Sequence, residues 1–144
     1  MPASTDIHAA RILIVDDQPS NVRLLEHTLR RGGYTEVTST GEPREVAALH
    51  LQNPFEIILL DLQMPHMSGF QVIEQLRAME GGDRVAILVM SADPSLRLQS
   101  LQSGGSSFLS KPFVLADVLA RVQLMLEKAR AAAPAPQVRT VVVP

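Results

Sequence analysis

The chain contains no cysteine and no tryptophan among its 144 residues, and only 3% of them are aromatic. Without cysteine, the protein has no disulfide framework, no thiolate metal site and no thiol nucleophile. No apolar run approaches the ~20 residues that a membrane-spanning helix requires. The first six residues lack the basic and apolar regions of a signal peptide. These absences favour a soluble, cytoplasmic protein that does not bind membranes.

An excess of charge of one sign is also missing. Thirteen lysines and arginines against fifteen aspartates and glutamates give a formal net charge of −2. This balance provides no electrostatic attraction to nucleic acid. Four phenylalanines without a basic stripe provide no stacking platform for bases. We therefore expect no direct binding of nucleic acid by this domain.

Short apolar runs alternate with amphipathic segments from residue 11 to about residue 130, which indicates βαβ units and one parallel sheet. Residues 1–10 are interpreted as a disordered leader. Residues 131–144 are interpreted as a linker-like tail, rich in alanine and proline, that leads to an output domain. The predicted strands are 11–16, 36–40, 56–61, 85–91 and 106–110.

The segments between the strands carry helix signals. Ser68 followed by Gln71 predicts a capping box for the third helix, with a stop at Gly81-Gly82. Asp93-Pro94 predicts an N-cap and a first-turn proline for the fourth helix. The fifth helix is predicted from its apolar stripe, formed by Val118, Leu119, Val122, Met125 and Leu126.

Reactive side chains stand where four of the predicted strands end. Asp16 and Asp17 close the first strand and Asp61 closes the third. Ser91 closes the fourth, and Lys111 follows the fifth. The carboxyl ends of parallel strands lie at one edge of the sheet and carry its ligand sites. We therefore expect three carboxylates, a hydroxyl and an amine to meet there.

Three carboxylates at one place suit a divalent cation. Like charges repel, and hard oxygens beside open coordination positions are the ligands that Mg²⁺ prefers. The alternative is that Asp16 and Asp17 only cap the first helix, as acidic pairs often do. The joint placement with Asp61 favours the metal site.

Asp61 is also a candidate nucleophile, because carboxylates form acyl phosphates. Lys111 would supply a positive charge for phosphoryl oxygens, and Ser91 a hydroxyl donor. Taken alone, Lys111 would be a solvated surface lysine and Ser91 a turn residue. Their shared position at strand ends favours the functional interpretation.

With these motifs in place, the chain resembles the receiver domain of bacterial two-component response regulators over about residues 11–130. The resemblance implies a flavodoxin-like, doubly wound α/β fold, with five parallel strands in the order 2-1-3-4-5 and five helices. It rests on Ile12-Leu13-Ile14-Val15-Asp16-Asp17, Leu60-Asp61-Leu62-Gln63-Met64-Pro65-His66-Met67-Ser68-Gly69, Val89-Met90-Ser91-Ala92 and Phe108-Leu109-Ser110-Lys111-Pro112-Phe113.

The resemblance assigns roles at the acidic edge. Asp61 matches the phosphorylated aspartate. Asp17 matches the direct Mg²⁺ ligand, and Asp16 matches the acid that binds the metal through water. Gln63 matches the position whose backbone carbonyl completes the metal shell.

The resemblance also implies a switch. Ser91 matches the hydroxyl that turns toward the phosphoryl group, and Lys111 matches the lysine that pairs with phosphate. The Lys111-Pro112 bond resembles a cis peptide of the family. Phe108 matches the aromatic residue that moves inward when Ser91 moves, although it lacks the hydroxyl of tyrosine.

The implied function is a phosphorylation-dependent switch and not a dedicated enzyme. A histidine kinase or a histidine phosphotransfer protein, as in a phosphorelay, would donate phosphoryl to Asp61 in the presence of Mg²⁺. The face formed by the fourth helix, fifth strand and fifth helix would then change, and the domain would dephosphorylate itself. A homodimer or a downstream output domain would be a further partner. Ser106-Ser107 departs from an often acidic position, which weakens the assignment of a particular dimer face.

Two other functions remain open from the residues. A phosphatase or phosphotransferase of the haloacid-dehalogenase-like type needs a second aspartate two positions after the nucleophile, where this chain has Gln63. A receiver-like binding module that is never phosphorylated would be expected to lose one of the acids or the lysine. The four histidines have no metal-ligand spacing, so we assign them no site.

Overall fold

The structure is a computed structural model that describes residues 6–132. It contains a single sheet of five parallel strands in the order β2-β1-β3-β4-β5, which confirms the predicted fold class. The strands are β1 Arg11–Val15, β2 Glu36–Thr40, β3 Ile57–Asp61, β4 Ala86–Ser91 and β5 Ser107–Ser110.

Four helices connect the strands, a fifth follows β5, and together they cover both faces of the sheet. They are α1 Pro19–Arg31, α2 Val46–Gln52, α3 Gly69–Ala78, α4 Arg97–Gln102 and α5 Leu115–Ala132. Short 3₁₀ turns lie at Ile7–Ala9, Pro43–Glu45 and Pro94–Leu96. Among the described residues, no helix is both long and apolar enough to cross a membrane.

The central strands are buried on both sides because helices pack on both faces of the sheet. Along β1, Ile12 and Ile14 face the cluster that contains Leu25 of α1 and Val118 of α5. The alternate residues, such as Leu13, face the cluster formed with α2 and α3. This period-two division explains why β1, β3 and β4 appear in the sequence as continuous apolar runs.

The predicted capping box of α3 is confirmed. The Gln71 amide donates to Ser68 Oγ at 3.3 Å, and the Ser68 amide donates to Gln71 Oε1 at 3.0 Å. The predicted stop of this helix at Gly81-Gly82 is three residues too late. Met79 already has an extended backbone, and the Gly82 amide donates to the Met79 carbonyl at 2.8 Å. The helix therefore ends at Ala78, and the glycine pair lies in the turn that follows it.

The amino-terminal segment is partly folded. Ile7 and Ala10 are 8% and 0% exposed and belong to the core, so the predicted disordered leader is wrong for these residues. Burial of their side chains against α5 and β1 outweighs the polar character of the segment around them. Residues 1–5, and residues 133–144 of the predicted tail, lie outside the described residues.

The last turn of α5 is attached to this end of the molecule. Arg130 forms a bidentate pair with Glu56, with N–O distances of 3.0 and 2.8 Å. It also donates to the Asp6 carbonyl at 3.0 Å. Glu56 immediately precedes β3, so Arg130 joins the carboxyl end of α5 to the amino edge of the sheet.

Candidate functional site

The three predicted acidic residues meet at the carboxyl edge of the sheet. Asp16 and Asp17 directly follow β1, and Asp61 is the last residue of the neighbouring strand β3. One carboxylate oxygen from each lies within 4.8 Å of the other two. Asp16 and Asp61 are buried and Asp17 is partly exposed, so the cluster opens to solvent on the Asp17 side.

Lys111 joins this cluster from β5. Its Nζ atom lies 3.3 Å from Asp16 Oδ2 and 3.5 Å from Asp61 Oδ1. The Lys111 amide donates to the Ser91 carbonyl at 2.8 Å, and the following bond to Pro112 is cis. The lysine is thus attached to the end of β4, and one ammonium group is shared between two buried carboxylates.

The electrostatic environment of Asp61 disfavours its charged form. Burial is the largest effect and raises the pKa of Asp61, and the charge of Asp16 raises it further. The Lys111 ammonium and the Gln63 amide, which donates to Asp61 Oδ1 at 3.2 Å, act in the opposite direction without reversing the shift. Additional positive charge at this place would therefore favour the ionised carboxylate.

Asp16 is held by three donors, of which only Lys111 was predicted to lie at this edge of the sheet. The Gln18 amide donates to Asp16 Oδ1 at 2.9 Å. The Asn21 side-chain amide donates to Asp16 Oδ2 at 3.3 Å. An asparagine five residues after an acid carries no signal of its own, because only the first turn of α1 brings the two side chains together.

The remaining predicted residues lie beside the cluster. Ser91 is fully buried, and its Oγ accepts a hydrogen bond from the Asp93 amide at 3.0 Å. Phe108 is 7% exposed and packs in the core cluster on the α2 and α3 side of the sheet. The structure therefore places the Phe108 ring inside the protein. The switch roles of Ser91 and Phe108, and the ligand role of the Gln63 carbonyl, stay predictions.

The loop after Asp61 is fixed by a close backbone approach. The Gly69 amide donates to the Leu62 carbonyl at 3.0 Å. A Cβ atom on Gly69 would lie 2.7 Å from Leu62 Cα and 2.8 Å from the Asp61 carbonyl oxygen. Within the loop, His66 has a φ of 72°, in the left-handed region. Glycine at the start of α3 thus allows the helix to begin directly beside the strand end that carries Asp61.

The donor set fits a hard divalent cation. All three candidate ligands offer carboxylate oxygens, and their mutual distances within 4.8 Å allow one ion to contact more than one of them. The partly exposed Asp17 leaves space for the water ligands that Mg²⁺ usually keeps. Carboxylate oxygens suit a hard cation such as Mg²⁺ better than a soft metal that prefers sulfur ligands.

A five-stranded doubly wound sheet with an acidic cluster and one lysine at its carboxyl edge defines a flavodoxin-like α/β domain with a candidate metal site. The family model of the response regulator receiver domain matches residues 12–123. The chain belongs to this family, which the sequence resemblance had indicated.

Similar proteins are found among bacterial regulators. The transcriptional regulatory protein PrrA of Mycobacterium tuberculosis is 34% identical over 124 residues, which cover 86% of this chain and 53% of that protein. The chain therefore spans about half the length of this curated relative.

Solved receiver structures share the fold. The chemotaxis response regulator CheY4 of Vibrio cholerae has a TM-score of 0.74 and 30% identity, covering 81% of this chain and 98% of that chain. The receiver domain of the sensor histidine kinase PA1611 of Pseudomonas aeruginosa has a TM-score of 0.75 and 30% identity, covering 82% and 98%. The latter is described with a magnesium ion coordinated in its active site cleft.

Proposed function

We propose that this chain is a phosphorylation-dependent signalling switch whose phosphoacceptor is Asp61. The observation that carries the proposal is the position of Lys111 Nζ, 3.5 Å from Asp61 Oδ1 and 3.3 Å from Asp16 Oδ2. This places a single cation beside the proposed nucleophile, within a cluster of acids that would otherwise repel a phosphate group. Membership of the receiver family supports the same function.

In the proposed transfer, a carboxylate oxygen of Asp61 attacks the phosphorus of a phosphohistidine on a histidine kinase or a histidine phosphotransfer protein. A P–O bond forms as the P–N bond breaks, and the imidazole nitrogen keeps the electron pair and takes up a proton. In autodephosphorylation, a water oxygen attacks phosphorus, the P–O bond to Asp61 breaks, and inorganic phosphate leaves. The domain acts only on itself, so it is not a dedicated enzyme.

The residues of the cluster fit Mg²⁺, with Asp17 and Asp61 as direct ligands and Asp16 acting through water. The Gln63 carbonyl would complete the protein's share of the shell. When bound, Mg²⁺ offsets the negative charge on the phosphoryl oxygens. The magnesium ion described for the PA1611 receiver domain supports this assignment. Lys111 contributes the positive charge that the chain itself supplies.

The proposed output begins at Ser91. To donate to a phosphoryl oxygen, Ser91 Oγ would turn from the Asp93 amide, which it contacts at 3.0 Å. Asp93 caps the turn that leads into α4, so this rotation would alter the start of α4. Because Phe108 is already buried, we propose that it repacks within the core and alters the α4-β5-α5 face. The phosphoryl group must favour one of the two packings for the switch to work.

The switched face would need a partner that receives the signal. Since the relative PrrA is a transcriptional regulatory protein about twice as long, we propose a downstream output domain, or a homodimer, as the recipient of the signal. The cytoplasmic location and the absence of direct nucleic-acid binding by this domain stay predictions.

The test is to incubate the protein with Mg²⁺ and acetyl phosphate and to measure its intact mass. We expect the mass of one phosphoryl group to be added to the wild-type protein, and none to Asp61→Asn. Asp117→Asn, which removes an exposed acid from the first turn of α5, should be phosphorylated like the wild type. Absence of phosphorylation in the wild type, or equal phosphorylation of Asp61→Asn, would contradict the proposal.

A further inference from the structure

The Asp16 carboxylate accepts more hydrogen bonds from the protein than a residue that binds a metal only through water requires. Its side chain is 0% exposed. Oδ1 accepts from the Gln18 amide at 2.9 Å, and Oδ2 accepts from both Asn21 Nδ2 and Lys111 Nζ at 3.3 Å. Donors on both oxygens hold the carboxylate plane in one orientation.

Gln18 and Asn21 should donate to Asp16 whether or not Asp61 is phosphorylated, whereas the contact of Lys111 with Asp16 should depend on phosphorylation. Lys111 Nζ is shared with Asp61, at 3.5 Å. A phosphoryl group on Asp61 brings about two negative charges and three acceptor oxygens, and it would attract the ammonium from Asp16. Among the described residues, Oδ2 of Asp16 would then keep only Asn21 as its donor. A buried carboxylate oxygen that loses all its donors is costly.

We propose that Asn21 is a positioning residue that holds Asp16 in its metal-binding orientation, above all when Lys111 has turned to the phosphoryl group. This inference rests on the proposed function. An amide is suited to the role because it donates a hydrogen bond without adding charge. A lysine or arginine in its place would repel the divalent cation that the three acids are arranged to bind.

The location of Asn21 explains how it reaches Asp16. Pro19 begins α1, and the Asn21 amide donates to the Gln18 carbonyl at 3.0 Å, which fixes the first turn of the helix. The Asn21 side chain is therefore directed back toward the end of β1. Outer-shell donors of this kind orient ligands that the metal itself does not fix.

The experiment measures Mg²⁺ binding by calorimetric titration for the wild type and for Asn21→Leu, which has a similar size and no donor. We expect the variant to bind Mg²⁺ about tenfold more weakly. The loss should be larger when beryllofluoride occupies the phosphoryl position, since Lys111 is then drawn from Asp16. Asn53→Leu, at the exposed carboxyl end of α2, is the matched control and should bind Mg²⁺ like the wild type.

Thermal unfolding in the presence of a chelator separates a positioning role from a general loss of stability. If Asn21→Leu does not fold, Asn21→Ala replaces it in the same titration. Binding by the folded variant within about twofold of the wild type, with and without beryllofluoride, overturns the role of Asn21. Absence of Mg²⁺ binding by the wild type would instead contradict the proposed function.

Discussion

At the scale of single residues, the protein keeps several polar groups in its interior and satisfies each of them. Among the described residues, no buried side-chain nitrogen or oxygen lacks a hydrogen-bond partner. Burial is unfavourable for the charged form of Asp61, because desolvation and the nearby Asp16 both raise its pKa. The buried carboxylate reduces the stability of the fold, and added positive charge would stabilise its ionised form.

His50 is a buried titratable residue that does not belong to the acidic cluster. It is 7% exposed, and its Nδ1 accepts a hydrogen bond from the Phe55 amide at 3.0 Å. This bond requires an unprotonated Nδ1. Burial, and to a smaller extent the charge of Arg77, lower the pKa of His50 below its ordinary value. The folded protein therefore resists protonation of this ring more than the unfolded chain does.

We predict that His50 makes the protein less stable as the pH falls below about 6.5, the ordinary pKa of histidine. In that range the unfolded chain binds a proton that the folded protein excludes, so acid favours unfolding. His50→Asn keeps a neutral acceptor. Between about pH 7.5 and pH 5.5, its melting temperature should therefore fall less than that of the wild type. His27→Asn, which replaces an exposed histidine of α1, should retain the wild-type pH dependence. An equal decrease in melting temperature for His50→Asn and the wild type across this pH range would refute the prediction.

At the scale of secondary-structure elements, the site depends on how closely α3 approaches the end of β3. The Gly69 position has no room for a side chain, since backbone atoms of Leu62 and Asp61 would lie 2.7 and 2.8 Å from a Cβ. Backbone atoms cannot move aside as the end of a long side chain can. The start of α3 and the orientation of Asp61 are therefore coupled.

We predict that Gly69→Ala destabilises the fold by about 1–3 kcal/mol, the usual cost of forcing extra volume into a packed site. It should also weaken Mg²⁺ binding, because the displaced helix start moves the end of β3. Urea unfolding and calorimetric titration measure the two effects. Gly41→Ala is the control for stability, because a Cβ there would lie 3.5 Å from its nearest neighbour, the Asp16 carbonyl oxygen, an ordinary contact. Equal stability of the two alanine variants would show that the close approach is unimportant.

The sequence predicts the elements better than it predicts the contacts between their ends. Strand β2 has the expected bounds, and Lys111 reaches Asp16 across 95 residues because strand ends of one sheet converge. By contrast, Arg77 donates to the Gly104 carbonyl at 2.9 and 2.6 Å, joining the end of α3 to the loop before β5. No periodicity predicts such a contact, because it depends on how the end of a helix packs against an irregular loop. The Asn21–Asp16 bond was missed for the same reason.

At the scale of the whole molecule, the helices differ in how many residues they bury in the core. α3 and α5 each bury four residues, whereas six-residue α4 buries only Ser100. Leu98 of α4 is 64% exposed. Elements with few buried contacts open at lower free energy than the rest of a domain. α4 is therefore the helix most able to respond to a change at Ser91.

We predict that amide hydrogens of α4 exchange faster than those of α5, by at least about tenfold. Addition of Mg²⁺ and beryllofluoride should change exchange in α4 and β5 more than in α1. Hydrogen-exchange mass spectrometry measures both, and Ser91→Ala, which lacks the hydroxyl, is the control that should lose the second effect. A uniform change over all five helices would indicate general stabilisation and contradict a response confined to the α4-β5-α5 face.

The ion pair between Arg130 and Glu56 fixes where a module that followed α5 would be attached to the domain. β3 runs from beside Glu56 to Asp61, so the foot of α5 is separated from the acidic cluster by the full length of a strand, roughly 16 Å. A module that continued directly from α5 would leave the domain at the end opposite Asp61. For a module held at that end of the domain, a change at Asp61 would have to be transmitted through the body of the domain.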